Sequence, residues 1–89
     1  QKEQVQLFQN TPNPFSGETT IGFYLPQNED IELLLYDNFG KRIKLLASGK
    51  YEKGRYFVKI NSKGLSTGSY YYTLKTTSKS FLRKMLVLE

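Results

Sequence analysis

Apolar residues fall at every second position in several separate stretches of the chain, and no window of about eleven residues carries an apolar stripe at i, i+3, i+4 and i+7. That period of two predicts strands and argues against helices. Ile21, Phe23 and Leu25 share one side of residues 19–25, and Ile31, Leu33 and Leu35 share one side of residues 31–36. Ile43 and Leu45 do so in 42–46, Tyr56, Val58 and Ile60 in 55–60, and Tyr70, Tyr72 and Leu74 in 69–75. The last stretch, 81–88, is apolar on both faces, with Phe81, Met85 and Val87 opposed to Leu82, Leu86 and Leu88, so its inward side stays open. Turn chemistry separates the runs: Pro26-Gln27-Asn28-Glu29-Asp30, Asp37-Asn38-Phe39-Gly40, Ser48-Gly49-Lys50, and residues 61–68. Gly and Asn tolerate positive φ, and Asp or Ser binds the local backbone. About seven short strands at this spacing predict an all-β fold, an antiparallel sandwich. Its expected core is Ile21, Phe23, Leu33, Leu35, Ile43, Val58, Ile60, Tyr70, Tyr72 and Leu74.

The 89 residues suffice for one domain, and a chain of this length buries only about 60 to 65% of its unfolded surface. There is no cysteine, so no disulfide supplements the core. The longest apolar runs are far short of the roughly 20 residues that span a bilayer, and Gln1 to Gln4 do not resemble a signal peptide. A soluble domain without a transmembrane segment, its export signal upstream, is the expectation.

The formal charge of +5 is unevenly spread: residues 1–40 carry one base and six acids, residues 41–89 twelve bases and two acids. Solubilising charge on outward strand faces accounts for this, and an acidic or anionic partner surface fits as well. Nucleic acid is not expected, because the bases are scattered among strands and turns with no recognition motif around them.

Without histidine or cysteine, Ser-His-Asp and Cys-His nucleophiles are excluded, as are imidazole or thiolate ligands for zinc. Glu29, Asp30 and Glu32 gather near one turn, but their spacing matches no calcium loop and suits solvated positions better than paired catalytic carboxylates. No catalytic residue, metal ligand or cofactor site is therefore assigned. Seven tyrosines and six phenylalanines leave one alternative, a carbohydrate- or adhesion-type binding sandwich with Tyr51, Phe57 and Tyr71 as candidate stacking rings. Cross-strand packing is the competing reading of those rings.

Several phrases occur in a set order: Leu7, Gln9 and Asn10, then Pro12-Asn13-Pro14-Phe15, then Thr19-Thr20-Ile21 and Leu25-Pro26. Tyr36-Asp37 with Gly40, Gly54, and Leu65-x-x-Gly68-x-Tyr70-x-Tyr72 follow, and Lys84-Met85-Leu86-Val87-Leu88 precedes Glu89. Together they resemble the type A C-terminal sorting domain of the type IX secretion system, over about residues 7–89. Ile60-Asn61 stands where relatives often carry Trp or Trp-Asp.

The resemblance implies an immunoglobulin-like sandwich that does no chemistry and directs a secreted cargo across the outer membrane of a Bacteroidota-type bacterium. Residues 1–6 would then be linker from an N-terminal cargo domain, and residues 7–89 the sorting domain. The implied partners are the type IX translocon, its outer-membrane shuttle and a sortase-like peptidase that removes the domain at surface attachment. The implied localisation is the periplasm in transit, then the cell surface or medium. Lys84, Met85, Leu86, Val87, Leu88 and Glu89 would be the element the translocon recognises, open to strand addition at the sheet edge. Pro12, Asn13, Pro14 and Phe15 would form a rigid extended segment anchored by Phe15, and Gly40, Gly54, Gly68, Tyr70 and Tyr72 would be structural.

Overall fold

The computed structural model describes residues 3–88. Seven strands form in chain order: β1 (Gln6–Leu7), β2 (Glu18–Leu25), β3 (Glu29–Asp37), β4 (Arg42–Tyr51), β5 (Gly54–Asn61), β6 (Gly68–Lys75) and β7 (Ser80–Val87). They make two antiparallel sheets, ordered β1-β2-β5 and β4-β3-β6-β7. The chain changes sheet after β2, β4 and β5, which gives the three-plus-four arrangement of an immunoglobulin-like sandwich. The all-β sandwich expected from the alternation is the fold observed.

Inward positions from both sheets fill the core. Ile21, Phe23 and Leu25 of β2 and Ile60 of β5 join Ile31, Leu33 and Leu35 of β3, Tyr70, Tyr72 and Leu74 of β6, and Met85 and Val87 of β7. Phe23, Tyr51 and Tyr56 pack as an aromatic trio with ring centroids 4.9–5.9 Å apart. The open register of the last strand is settled by its partner. Tyr70 pairs with Met85 and Gly68 with Val87, and paired residues share a face, so Met85 and Val87 turn inward while Leu82 and Leu86 turn out.

Ile43 is a correction: it is 41% exposed, outside the core. The register of β4 against β3 slips twice, between Leu33 and Leu34 and between Leu35 and Tyr36. Each slip leaves one residue of β4, first Leu46 and then Ile43, without a partner opposite. A bulge of this kind inverts the alternation. Leu45 therefore lies opposite Leu34 on the outer face, while Leu46 and Ala47 pack against the core. Glu29 and Asp30, expected in a turn, open β3 opposite Tyr51 and Lys50, which shortens the turn to residues 26–28.

Two local devices fix strand ends. Asp37 Oδ1 accepts the Phe39 and Lys41 amides at 2.8 and 2.9 Å, and Gly40 at φ 85° closes this tight turn between β3 and β4. At the start of β6 the Tyr70 hydroxyl donates to the Ser66 carbonyl at 2.7 Å, the tyrosine corner of such sandwiches. Leu35→Ala or Tyr72→Ala should cost about 2–5 kcal/mol in urea unfolding, and Ile43→Ala less than about 1 kcal/mol. Equal losses at Ile43 and Leu35 would contradict the bulged register.

Candidate functional site

β7 is the last strand of the four-stranded sheet, and only β6 pairs with it as a full strand. Its outer edge is nevertheless occupied. The Phe15 amide donates to the Leu86 carbonyl at 3.0 Å, and the Leu88 amide donates to the Phe15 carbonyl at 2.8 Å, a short parallel bridge. Asn13 Oδ1 accepts the Leu86 amide at 2.9 Å, and Gln9 Nε2 donates to the Lys84 carbonyl at 2.6 Å. Further up the strand Arg83 Nε donates to the Leu7 carbonyl at 3.0 Å. Residues 9–15 thus act as a clasp along the edge from Lys84 to Leu88.

The clasp is built on a buried polar knot. Asn10, 2% exposed, donates from Nδ2 to Thr19 Oγ1 at 3.0 Å and to the Pro12 carbonyl at 3.1 Å, and Thr19 Oγ1 donates to the same carbonyl at 2.8 Å. Gln9 Nε2 donates to Asn10 Oδ1 at 2.7 Å. A buried amide needs such partners, since a lost one leaves a desolvation cost of about 1–3 kcal/mol. The segment of Pro12, Asn13, Pro14 and Phe15 bends around this knot, with both X-Pro bonds cis, and does not run extended as the two prolines alone suggested. Phe15 is the anchor, buried in the core at the foot of the bend.

The candidate recognition residues divide by strand phase. Met85 and Val87 are core residues, while Lys84, Leu86 and Leu88 are exposed. Glu89 lies outside the described residues. Gly54 and Gly68 open β5 and β6, and the inward rings of Tyr70 and Tyr72 send their hydroxyls to backbone carbonyls of Ser66 and Phe8. Sequence reasoning gave no role to Gln9, Asn10 and Thr19. Short polar residues before a strand carry no apolar signal, and only their company beside the proline box points to them.

The three candidate sugar-stacking rings do not meet on one face. Tyr51 packs against the core, Phe57 stands on the outside of the three-stranded sheet opposite Gly22, and Tyr71 stands on the outside of the four-stranded sheet. A single stacking platform is not formed by them. Among the described residues no three Asp or Glu come together in a way that could hold a metal ion.

Burial pushes the Tyr72 phenol up to about 12, while a backbone hydrogen bond from Asn10 and the charge of Arg83 pull it down. An unfolded tyrosine titrates near 10, so the folded state holds this proton more tightly. Its contribution to stability is intact below about pH 10 and lost as the pH rises toward 12. Melting temperatures across this alkaline range should fall, and Tyr72→Phe should flatten the decline. Phe15→Ala should cost about 3–5 kcal/mol. Asn13→Ala should cost about 1 kcal/mol and speed amide exchange at Leu86 about fivefold. An unchanged Leu86 exchange rate would show that Asn13 does not hold the edge.

Residues 11–88 match the family model described as the secretion system C-terminal sorting domain. No curated protein matches the chain. The matched span runs from the residue before the proline box to the end of the clasped strand, and by it the chain belongs to the family of type IX secretion C-terminal sorting domains.

Proposed function

We propose that the domain is read in its folded, clasped form, and that the exposed side chains of β7, namely Lys84, Leu86 and Leu88, carry the recognised information. The observation that carries this reading is the family match, which covers both the proline box and the terminal strand that it clasps. As a sorting domain of this family the module is a signal for export to the cell surface or medium, and the family is non-catalytic. Its cargo lies N-terminal. The type IX translocon with its outer-membrane shuttle receives the folded module from the periplasm, and a sortase-like peptidase severs it ahead of β1, toward Gln1, as the cargo is attached to the surface.

Strand addition fits this geometry less well than side-chain reading. The Leu86 and Leu88 backbone groups are already bonded to Asn13 and Phe15, so a partner strand would first have to displace the clasp. Deleting residues 84–89 is a poor test, because it also removes Met85 and Val87 from the core. Lys84→Glu combined with Leu86→Ser changes only exposed side chains and should leave the melting temperature within a few degrees.

A periplasm-targeted fluorescent reporter fused to residues 1–89 should reach the surface or medium of a type IX-competent host and stay inside a translocon-deficient mutant. The double variant should fold and stay inside both. Equal export of the folded variant would remove the recognition role from Lys84 and Leu86. Retention of the unaltered fusion in the competent host would overturn the sorting reading itself.

A further inference from the structure

Among the described residues seven large hydrophobics are exposed, and all but Phe57 and Leu88 belong to the four-stranded sheet or its β3–β4 turn. Register places Leu45, Leu82 and Leu86 on its outward side. Leu45, Leu34, Thr73 and Leu82 form one row across all four strands, and Arg42, Tyr36, Tyr71 and Lys84 form the next. Leu34 is 2% exposed although it is no part of the sandwich core, and the Thr73 hydroxyl beside it is buried without a hydrogen-bond partner among the described residues. An outer face of an ordinary two-sheet sandwich is polar. Here it has an apolar centre.

At one end of this face the hairpin between β3 and β4 exposes every residue from Asn38 to Leu45. Phe39, at 93% exposure, projects from a turn that the Asp37 hydrogen bonds hold in shape. Lys41, Arg42 and Lys44 follow it, interleaved with Ile43 and Leu45. Asp37, the acid of this hairpin, spends its carboxylate on the turn amides. The other acids of the face, Asp30 and Glu32, lie toward the opposite end, and each stands in register with a lysine, Lys50 and Lys75.

We propose that this hairpin and the adjoining sheet face bind an anionic phospholipid surface, with Phe39, Ile43 and Leu45 entering the interfacial layer and Lys41 and Arg42 meeting the headgroup phosphates. Binding of this kind sums apolar burial and attraction of clustered cations to anionic lipid. A second copy of the chain is disfavoured, since two such cationic rims repel. A protein partner would be expected to seat its anchors in pockets. Two surface concavities, lined by residues such as Glu29, Tyr51, Thr76 and Lys79, lie at the far end of the sandwich instead. This inference goes beyond the sorting role and stands independently of Lys84.

The 89-residue domain should co-sediment with phosphatidylcholine vesicles in which about one lipid in three is phosphatidylglycerol, and not with phosphatidylcholine alone. Phe39→Ser with Leu45→Ser, and separately Lys41→Glu with Arg42→Glu, should each weaken that binding more than about tenfold. Lys53→Glu with Lys59→Glu, the same charge change elsewhere, should weaken it by less than about threefold. Circular dichroism confirms that each variant is folded. No binding to the anionic vesicles would overturn the proposal, as would equal binding to neutral ones or an equal loss from the Lys53 and Lys59 change. Sedimentation velocity gives a further test: a dimer dissolved by Leu45→Ser would assign the face to a second copy instead.

Discussion

The short parallel bridge between Phe15 and the end of β7 is the contact on which the rest of the arrangement turns. A terminal strand at a sheet edge exposes unpaired amides and carbonyls, and such an edge recruits other chains. Here the N-terminal segment supplies the missing partners at Lys84, Leu86 and Leu88 through one backbone residue and two side-chain amides. The bridge joins positions more than seventy residues apart. It therefore ties the first part of the chain to the last, and the buried knot of Asn10, Thr19 and the Pro12 carbonyl holds the bend that brings them together.

Most of the fold was legible because strand alternation is a local property. β2, β3, β5 and β6 show their inward phase directly, and the apolar residues on that phase line the core, with Val58 of β5 only partly buried at its margin. Ile43 was misplaced for a reason no alternation rule contains. Two bulges invert the phase of β4 between them and leave Ile43 without a partner, and a bulge is set by pairing with β3, not by the residues of β4 alone. β7 was ambiguous for a related reason. Its apolar residues occupy both phases, and only the phase of β6 decides which of them turn inward.

The clasp was less legible still. Its prolines and Phe15 stood out as a phrase, yet the phrase does not say which strand it binds. That follows from a contact between the two ends of the chain, and from hydrogen bonds made by Gln9 and Asn13, whose amide groups look in sequence like any polar loop residue. Tyr70 lay between these extremes. Its ring was expected in the core from alternation, while its hydroxyl bond to Ser66 depends on the corner through which the chain crosses from one sheet to the other.

As a core strand that is also the proposed signal, β7 faces two demands at once. Burial of Met85 and Val87 makes β7 part of the folding unit, so Lys84, Leu86 and Leu88 are held in a fixed outward row only when the domain is folded. A partner that reads this row therefore distinguishes a folded domain from an unfolded one without any further check. An extended peptide of the same residues would show Met85 and Val87 as readily as Lys84 and would lack the fixed spacing. The clasp sharpens the distinction. While Phe15 and Asn13 hold the edge, a partner that relies on backbone pairing finds the Leu86 and Leu88 groups already engaged, whereas one that relies on outward side chains finds its row intact. Burial and edge protection, which any sandwich of this size needs, thus leave the outward phase of the last strand as the part of β7 on which recognition can act without cost to stability.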